Sequence, residues 1–119
     1  MENTGEPVDM PELMEIMDGD AELIRDCFQD FLQDEEALRS DIGAAIESGS
    51  AARLDESAHR FKGMLRYLAA KPAAEYAFAL EMMGKREKME AAADVYRDLQ
   101  KECDRLKHFI RDAITTQAS

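Results

Sequence analysis

Apolar side chains recur along this chain at alternating spacings of three and four residues, which is typical of α-helices with one buried face. The clearest stripe lies in the middle of the chain and consists of Leu54, Ala58, Phe61, Leu65 and Leu68. Ser50 can cap this helix at its start, and Lys71-Pro72 ends it, because the residue before a proline disfavours the α-helical region. The pattern therefore predicts a helix over residues 51–70.

Two helices are predicted before this one. A short helix follows the N-cap residue Asp9 and stops at Gly19. A long helix begins after the N-cap residue Asp20 and ends at Gly49, since glycine suits the left-handed position that follows many helices. The polar stretch 33–36 interrupts the apolar pattern of the long helix, so a kink or a break is expected there.

Two further helices are predicted after it. Pro72 opens the first and Gly84 closes it, and residues 85–88 then form a charged turn. The last helix keeps the 3–4 spacing from Met89 to Ile110. Short connections force neighbouring helices to be antiparallel. The prediction is an all-α fold, an antiparallel up-down-up-down four-helix bundle with the short N-terminal helix packed across it.

Length and composition are those of one globular domain. The chain has 119 residues, of which 45% are hydrophobic and 34% charged. We expect a flexible N-terminus over residues 1–8, the helical bundle over 9–114 and a frayed C-terminus over 115–119. Cys27 and Cys103 both fall in apolar helical stripes, so they are expected to be reduced core residues.

The overall charge argues against two classes of partner. A net charge of −11 disfavours nucleic acid, because phosphate binding needs a positive surface, and it equally disfavours an anionic membrane. The N-terminus lacks the pattern of a signal peptide, and no stretch approaches the roughly 20 apolar residues of a transmembrane helix. The protein is therefore expected to be soluble and cytoplasmic.

One segment departs from the acidic character. Between residues 57 and 71 there is no acidic residue and there are four basic ones: Arg60, Lys62, Arg66 and Lys71. Such a positive island on an acidic protein either meets a negatively charged partner or is a solvated helix face that happens to be basic. Charge alone leaves both interpretations open.

His59 lies within this segment and is the candidate for chemistry. It directly follows the stripe residue Ala58, so it is rotated about 100° from it and sits at the edge of the stripe. Lys62 and Gly63 follow at i+3 and i+4 on the same face. A glycine inside a helix costs roughly 1 kcal/mol, and the simplest reason for it is space beside the imidazole. An open imidazole with a nearby cation can accept a phosphoryl group.

Other chemistry finds little support in the sequence. The common nucleotide-binding, zinc-protease and serine-hydrolase motifs are absent. His59 and His108 are far apart and neither has a ligand cluster around it, so no metal site is expected. His108, near the end of the last helix, is interpreted as a solvated or dipole-complementing histidine.

The residues around His59 also form a known pattern. Ala-His-Arg-Phe-Lys-Gly at 58–63, Leu-Ala-Ala at 68–70 and Leu-Glu-Met-Met-Gly at 80–84 resemble the histidine-containing phosphotransfer (HPt) domain. The resemblance covers residues 20–114. It implies a four-helix bundle without catalytic activity of its own. Its exposed histidine takes a phosphoryl group from the aspartate of one receiver domain and passes it to another, or back.

The resemblance also implies roles for individual residues. His59 would be phosphorylated, Lys62 would assist with charge, and Gly63 would keep the approach clear. Glu81 falls where family members often present a polar side chain toward the histidine. The receiver-docking surface would comprise Arg60, Met64, Arg66 and Lys71. The implied partners are response-regulator receiver domains or a hybrid histidine kinase, with Mg²⁺ on the receiver, no cofactor on this chain, and a monomeric state.

Two departures from the family pattern and two alternative functions stand beside this interpretation. Met64 and Arg66 replace the small residues common after Lys-Gly, and Ala69 replaces the usual glycine, which we interpret as a mild change within a helix.

One alternative function is that of an interaction bundle without phosphotransfer. The other is a histidine-kinase dimerisation segment, in which an acidic residue usually stands where this chain has Arg60. Both a free-standing protein and a module of a longer hybrid kinase fit the sequence.

Overall fold

Five α-helices make up most of the part of the chain that the structure describes. The computed structural model describes residues 5–118, and within that range it contains no β-strand. The helices are α1 (Met10–Ile16), α2 (Ala21–Ser48), α3 (Ala51–Tyr67), α4 (Lys71–Arg86) and α5 (Ala92–Ala118). The predicted all-α fold is confirmed.

The predicted helix caps are present. In each of the first three helices, the backbone N–H of the third residue donates a hydrogen bond to the side chain of the residue just before the helix. The acceptors are Asp9 before α1 (3.1 Å), Asp20 before α2 (3.1 Å) and Ser50 before α3 (3.2 Å). Gly49 ends α2 with a φ of +71°, a conformation that glycine adopts without steric cost. These short-range signals fix where the first three helices begin and where α2 ends.

The expected break in α2 does not occur. Residues 33–36 belong to one continuous helix of 28 residues. Glu35 points into the bundle, is 1% exposed, and lies 2.6 Å from Arg39 Nε and 3.1 Å from Lys107 Nζ. The polar residue in the apolar pattern is thus a buried carboxylate with two cationic partners, which makes its burial tolerable.

Gly84 does not close α4, contrary to the prediction. The helix continues to Arg86 and ends at Glu87, which has a φ of +56°. A Cβ on Gly84 would lie 2.6 Å from the backbone nitrogen of Asp55 and 2.7 Å from the carbonyl oxygen of Ala51. Gly84 therefore allows the backbones of α3 and α4 to approach closely, and only the last part of the predicted charged turn is a turn.

The connection from α3 to α4 is tighter than the sequence suggested. α3 ends at Tyr67, three residues earlier than predicted, and Ala69 follows with a φ of +54°. The N–H groups of Ala69 and Ala70 donate to carbonyl groups of the last turn of α3, at 3.0 and 2.9 Å. The interpretation of Ala69 as a mild change within a helix is therefore wrong, because this residue occupies a left-handed position outside the helix.

The four long helices close into a bundle. α3 packs against α2 and α4, and α5 packs against the other sides of α4 and α2. Phe31 and Phe61 stack across the α2–α3 interface with ring centroids 6.4 Å apart. α1 covers part of the core with Leu13 and Met17, which are fully buried. This is the predicted antiparallel bundle with a short helix across it, and it closes within a single chain.

The structure describes only part of the two terminal segments that the sequence predicts. Residues 1–4 and 119 of the expected terminal segments lie outside the described residues. Pro7 and Val8 are buried, and the carbonyl oxygen of Gly5 accepts a hydrogen bond from Arg105.

None of the helices described here combines the length and apolar character needed to cross a bilayer. Both cysteines are free thiols, with Cys103 buried and Cys27 half-buried.

Candidate functional site

The imidazole of His59 stands on the outer face of α3, in the middle of the helix. Its neighbours Ala58 and Phe61 point into the core and are fully buried, whereas the His59 side chain is 67% exposed. This arrangement follows from helical geometry, since His59 is rotated about 100° from the buried stripe. A macromolecular partner can therefore reach the ring.

Glu81 holds the ring from the neighbouring helix. Its Oε2 lies 2.7 Å from His59 Nδ1, across the interface between α3 and α4. An ionised carboxylate only accepts hydrogen bonds, so Nδ1 carries the proton and donates it. Neutral imidazole then has its lone pair on Nε2, the nitrogen not held by Glu81. The contact thus selects the tautomer that is nucleophilic at Nε2.

Lys62 is also part of this arrangement, and it is nearly buried. Its side chain is 11% exposed, and its Nζ lies 2.5 Å from Oε1 of Glu81. Burial alone would raise the pKa of Glu81, but the hydrogen bonds from Lys62 and His59 outweigh burial and lower that pKa. Glu81 therefore stays ionised and keeps both partners in place.

Two charged residues that the sequence analysis did not single out complete the network. Lys85 Nζ lies 3.2 Å from Asp55 Oδ1 and 3.9 Å from Oε2 of Glu81. Asp55 precedes His59 by one helical turn, and Lys85 follows Glu81 by one turn. Their spacing within each helix is visible in the sequence. Their meeting depends on the register between α3 and α4, which the sequence does not display.

Gly63 leaves the surface beside His59 bare. A Cβ added at this position would meet nothing within 4 Å, and the residue is exposed. The internal packing of the molecule therefore does not require glycine here. This is the opposite of Gly84, where the neighbouring backbone excludes a side chain.

The predicted docking residues divide into two groups. Arg60 and Arg66 are exposed and take part in no ion pair within the described residues, and Met64 is half-buried. Lys71 is exposed, but its Nζ lies 3.1 Å from Asp9 and 2.8 Å from Glu12. These ion pairs, together with that of Lys62, neutralise half of the positive island. Two arginines carry its free charge.

Two exposed aromatic residues near the site were missed. Phe78 of α4 is 44% exposed, and its ring centroid lies 5.2 Å from Lys62 Nζ and 5.9 Å from Arg66 Cζ. Tyr67 of α3 is 51% exposed. An available signal was that each lies outside the buried stripe of its helix. Large aromatic residues on an open surface are common in protein interfaces.

His108 lies apart from this site. Its side chain is 83% exposed on α5, with Nε2 3.8 Å from Asp112. α5 packs on α2 and α4, so it stands diagonally across the bundle from α3. In the part of the chain that the structure describes, no group of three histidine, cysteine, aspartate or glutamate side chains could hold a metal ion.

Comparison with known proteins identifies the family to which this helical bundle with an exposed histidine belongs. The family model for the Hpt domain matches residues 26–109, and the chain belongs to this family. The match includes the whole of α3 and α4, and therefore His59, Lys62 and Glu81. The chain thus acts in two-component signalling as a phosphorelay protein that transfers phosphoryl groups through a histidine.

A solved structure agrees with this assignment. The chain is similar to the crystal structure of histidine-containing phosphotransfer protein B (HptB) from Pseudomonas aeruginosa PAO1, with a TM-score of 0.76 and 25% sequence identity. The similarity covers 96% of this chain and 98% of that one. Among curated proteins, no sequence matches.

Proposed function

We propose that His59 is the residue that carries the phosphoryl group. The observation that supports this most directly is the 2.7 Å contact between His59 Nδ1 and Glu81, made by a ring that is otherwise largely exposed. The carboxylate holds one nitrogen and leaves the other for chemistry. Among the described residues, His108 pairs with Asp112 of its own helix and has no such partner from another helix.

The proposed step is an in-line displacement at phosphorus. The Nε2 lone pair of His59 attacks the phosphorus of a receiver aspartyl phosphate, the N–P bond forms, and the P–O bond to the aspartate breaks as its carboxylate leaves. The ring gains positive charge as the bond forms, and the Nδ1–H contact with ionised Glu81 stabilises that charge. The reverse step returns the phosphoryl group to a receiver aspartate.

The neighbouring residues have supporting roles in this proposal. Lys62 keeps Glu81 ionised and, because its Nζ lies close to the imidazole's partner, adds positive potential beside the phosphoryl oxygens. Gly63 leaves room for the receiver's active-site loops. The chain acts as a phosphocarrier without autonomous catalysis, which the match to the Hpt family supports. Mg²⁺ and most of the catalytic groups come from the receiver, and this chain needs no cofactor.

The proposed docking surface surrounds His59. It comprises Arg60, Met64 and Arg66, with Lys71 at its edge, and the exposed Phe78 extends it onto α4. A receiver active site is an acidic pocket, so the two free arginines favour its approach. Partners are receiver domains, free or within a hybrid histidine kinase, and the chain acts as a monomer because its bundle is closed.

A phosphotransfer assay tests the assignment of His59. The protein is mixed with a receiver domain that carries radiolabelled aspartyl phosphate, and acid-labile label on the chain is measured. We expect labelling of the wild type and of His108→Gln, and none of His59→Gln. Label that persists in His59→Gln would assign the phosphoryl group to another residue. A wild-type chain that takes no label from any receiver would favour the interaction bundle without phosphotransfer.

A further inference from the structure

A groove between α2 and α3 opens on one side of the face that carries His59. It encloses about 380 Å³ and is lined by Cys27, Asp30, Asp34, Met64, Tyr67 and Leu68. The α3 side contributes half-buried Met64 and exposed Tyr67 to the lining, and α2 contributes two aspartates. The depression therefore combines apolar surface with negative charge.

The two aspartates have no role in holding the fold together. Asp30 and Asp34 are exposed, and neither takes part in a hydrogen bond or ion pair within the described residues. They are one turn apart on α2, a spacing at which like charges destabilise a helix slightly. Elsewhere the molecule pairs the carboxylates that approach its core, as at Glu35 and Glu81. The charge on this side of the groove is available to a partner.

The groove is within reach of a receiver seated on His59. Met64 and Tyr67 follow His59 by five and eight residues, which is about 7.5 and 12 Å along the helix axis and a rotation of about 140° and 80° around it, toward α2. A typical interface buries about 800 Å² on each partner, equivalent to a disc about 16 Å in radius. A receiver centred on His59 therefore covers the groove as well.

The two sides of this footprint differ in charge. Toward α4, Arg66 lies beside the exposed Phe78 and carries positive charge. Toward α2, the groove presents the carboxylates of Asp30 and Asp34. Arg60 lies on this side of α3 by helical rotation, but it pairs with neither aspartate. A partner must therefore match a surface of divided charge and not only a basic one.

We propose that the α2–α3 groove determines which receiver this protein serves. The receiver places an apolar side chain on Met64 and Tyr67 and a lysine or arginine against Asp30 and Asp34. This inference rests on the proposed function of His59 and names the chemistry of its partner. Receivers that are acidic at this edge are disfavoured by repulsion, which is a common source of specificity.

The test separates docking from chemistry by loading His59 from a small-molecule donor and then measuring transfer to a receiver. Every chain carries His108→Gln, because the side chain of His108 is also exposed. Phosphoramidate, a small molecule, labels an accessible histidine without any docking surface. The labelled protein is then mixed with purified receiver domains from the same genome, and the receiver that accepts label fastest is chosen. The variant is Asp30→Asn with Asp34→Asn, which removes two charges at nearly constant size and is expected to fold because it relieves repulsion.

The matched control removes two charges far from His59. Asp98→Asn with Asp104→Asn makes the same change in net charge on exposed positions of α5. We expect the groove variant to need roughly five- to tenfold more receiver for half-maximal transfer, with an unchanged maximal rate. The control should stay within about twofold of the wild type. The difference in half-maximal receiver concentration between the groove variant and the wild type should become smaller in about 0.5 M NaCl, because salt screens exposed charges.

The outcomes distinguish this inference from the proposed function. Equal transfer by the groove variant and the control would overturn the groove as a specificity determinant. Faster transfer by the groove variant would also overturn it, since the partner would then be acidic at this edge. In the His108→Gln background, phosphoramidate label that His59→Gln abolishes and that passes to a receiver supports the proposed function in either case. Equal phosphoramidate labelling of the His108→Gln chain and of the chain with both histidines replaced would refute the proposed function and remove the basis of this inference.

Discussion

Glu81 and His59 are joined across the α3–α4 interface by a contact of 2.7 Å between Oε2 and Nδ1. The same carboxylate meets Lys62 Nζ through its other oxygen, at 2.5 Å. Glu81 is 3% exposed and His59 67% exposed, so a buried carboxylate supports an exposed imidazole. The pair explains how a histidine on an open helix face can have a defined tautomer.

The first prediction concerns the charge of Glu81. In Glu81→Gln the amide oxygen can still accept the Nδ1–H bond, but it cannot neutralise the positive charge that the ring gains during attack. We expect the rate of label uptake from a phosphorylated receiver to fall about tenfold. Glu75→Gln, an exposed change on the same helix, should leave the rate unchanged. Equal rates for the two variants would mean that the carboxylate charge plays no part in transfer.

The second prediction concerns the pH dependence of stability. The pKa of Glu81 is lowered from 4.5, because hydrogen bonds from Lys62 and His59 outweigh the effect of burial. The unfolded chain therefore binds this proton more readily than the folded one. The stabilisation of the fold by ionised Glu81 is therefore complete above pH 4.5. It is lost as the pH falls through the lowered pKa that Glu81 has in the folded chain. Denaturant unfolding should give a lower free energy of unfolding for Glu81→Gln than for the wild type near neutral pH. This difference should become smaller as the pH falls into the acid range. A difference that stays constant down to the acid range would contradict the shift.

The third prediction compares the same substitution at two glycines. Gly63→Ala meets nothing within 4 Å, so it should stabilise the protein by about 1 kcal/mol through helix propensity. Gly84→Ala places a Cβ 2.6 Å from the backbone of Asp55 and should destabilise the protein by about 3 kcal/mol or more. Thermal or urea unfolding measures both.

Stability and phosphotransfer should change in opposite directions in Gly63→Ala and in the same direction in Gly84→Ala. Gly63→Ala adds a methyl group beside His59 and should slow transfer to a receiver, even though the variant is more stable. Gly84→Ala forces α3 and α4 apart beside Asp55, at the interface that also carries the His59–Glu81 contact, so its transfer should fall together with its stability. Unchanged transfer by Gly63→Ala would show that the bare backbone at this position serves neither the fold nor the partner.

The sequence was sufficient where the determining contacts are local. Asp9, Asp20 and Ser50 cap helices through bonds to residues three positions away, and Gly49 ends a helix by its own backbone conformation. The edge position of His59 likewise follows from its place beside the stripe. Each of these features depends on the nearest turn of the chain alone, so the helix count and the fold class could be predicted.

The sequence was insufficient where two helices meet. Glu35 was interpreted as a break in a pattern because its partner Lys107 lies 72 positions away, on α5. Gly84 was assigned to a helix end because its reason is the backbone of α3. Lys85 was overlooked for the same cause. Register between helices is set by the packing of many side chains together, and no single spacing in the sequence reveals it.

The fourth prediction concerns the turn between α3 and α4. Ala69 has a φ of +54°, a left-handed conformation that costs a residue with a Cβ about 1 kcal/mol relative to glycine. Ala69→Gly should therefore raise the free energy of unfolding by up to about 1 kcal/mol, less the extra entropy of glycine in the unfolded chain. Ala79→Gly is the control. Ala79 lies inside α4, so glycine there should destabilise the protein by about 1 kcal/mol. Destabilisation by both variants would contradict a strained Ala69.

The fifth prediction separates stability from phosphotransfer at the opposite interface. Glu35 is 1% exposed between α2 and α5, with Arg39 Nε at 2.6 Å and Lys107 Nζ at 3.1 Å. Glu35→Gln leaves these two cations without their carboxylate and should lower the free energy of unfolding by about 3 kcal/mol, whereas exposed Glu36→Gln should change it by less than about 0.5 kcal/mol. Because α3 does not contribute to this cluster, folded Glu35→Gln should still take label at the wild-type rate in a receiver assay. A loss of phosphotransfer that exceeds the unfolded fraction would mean that the α2–α5 cluster acts on His59 through the bundle, and not only on the stability of the fold.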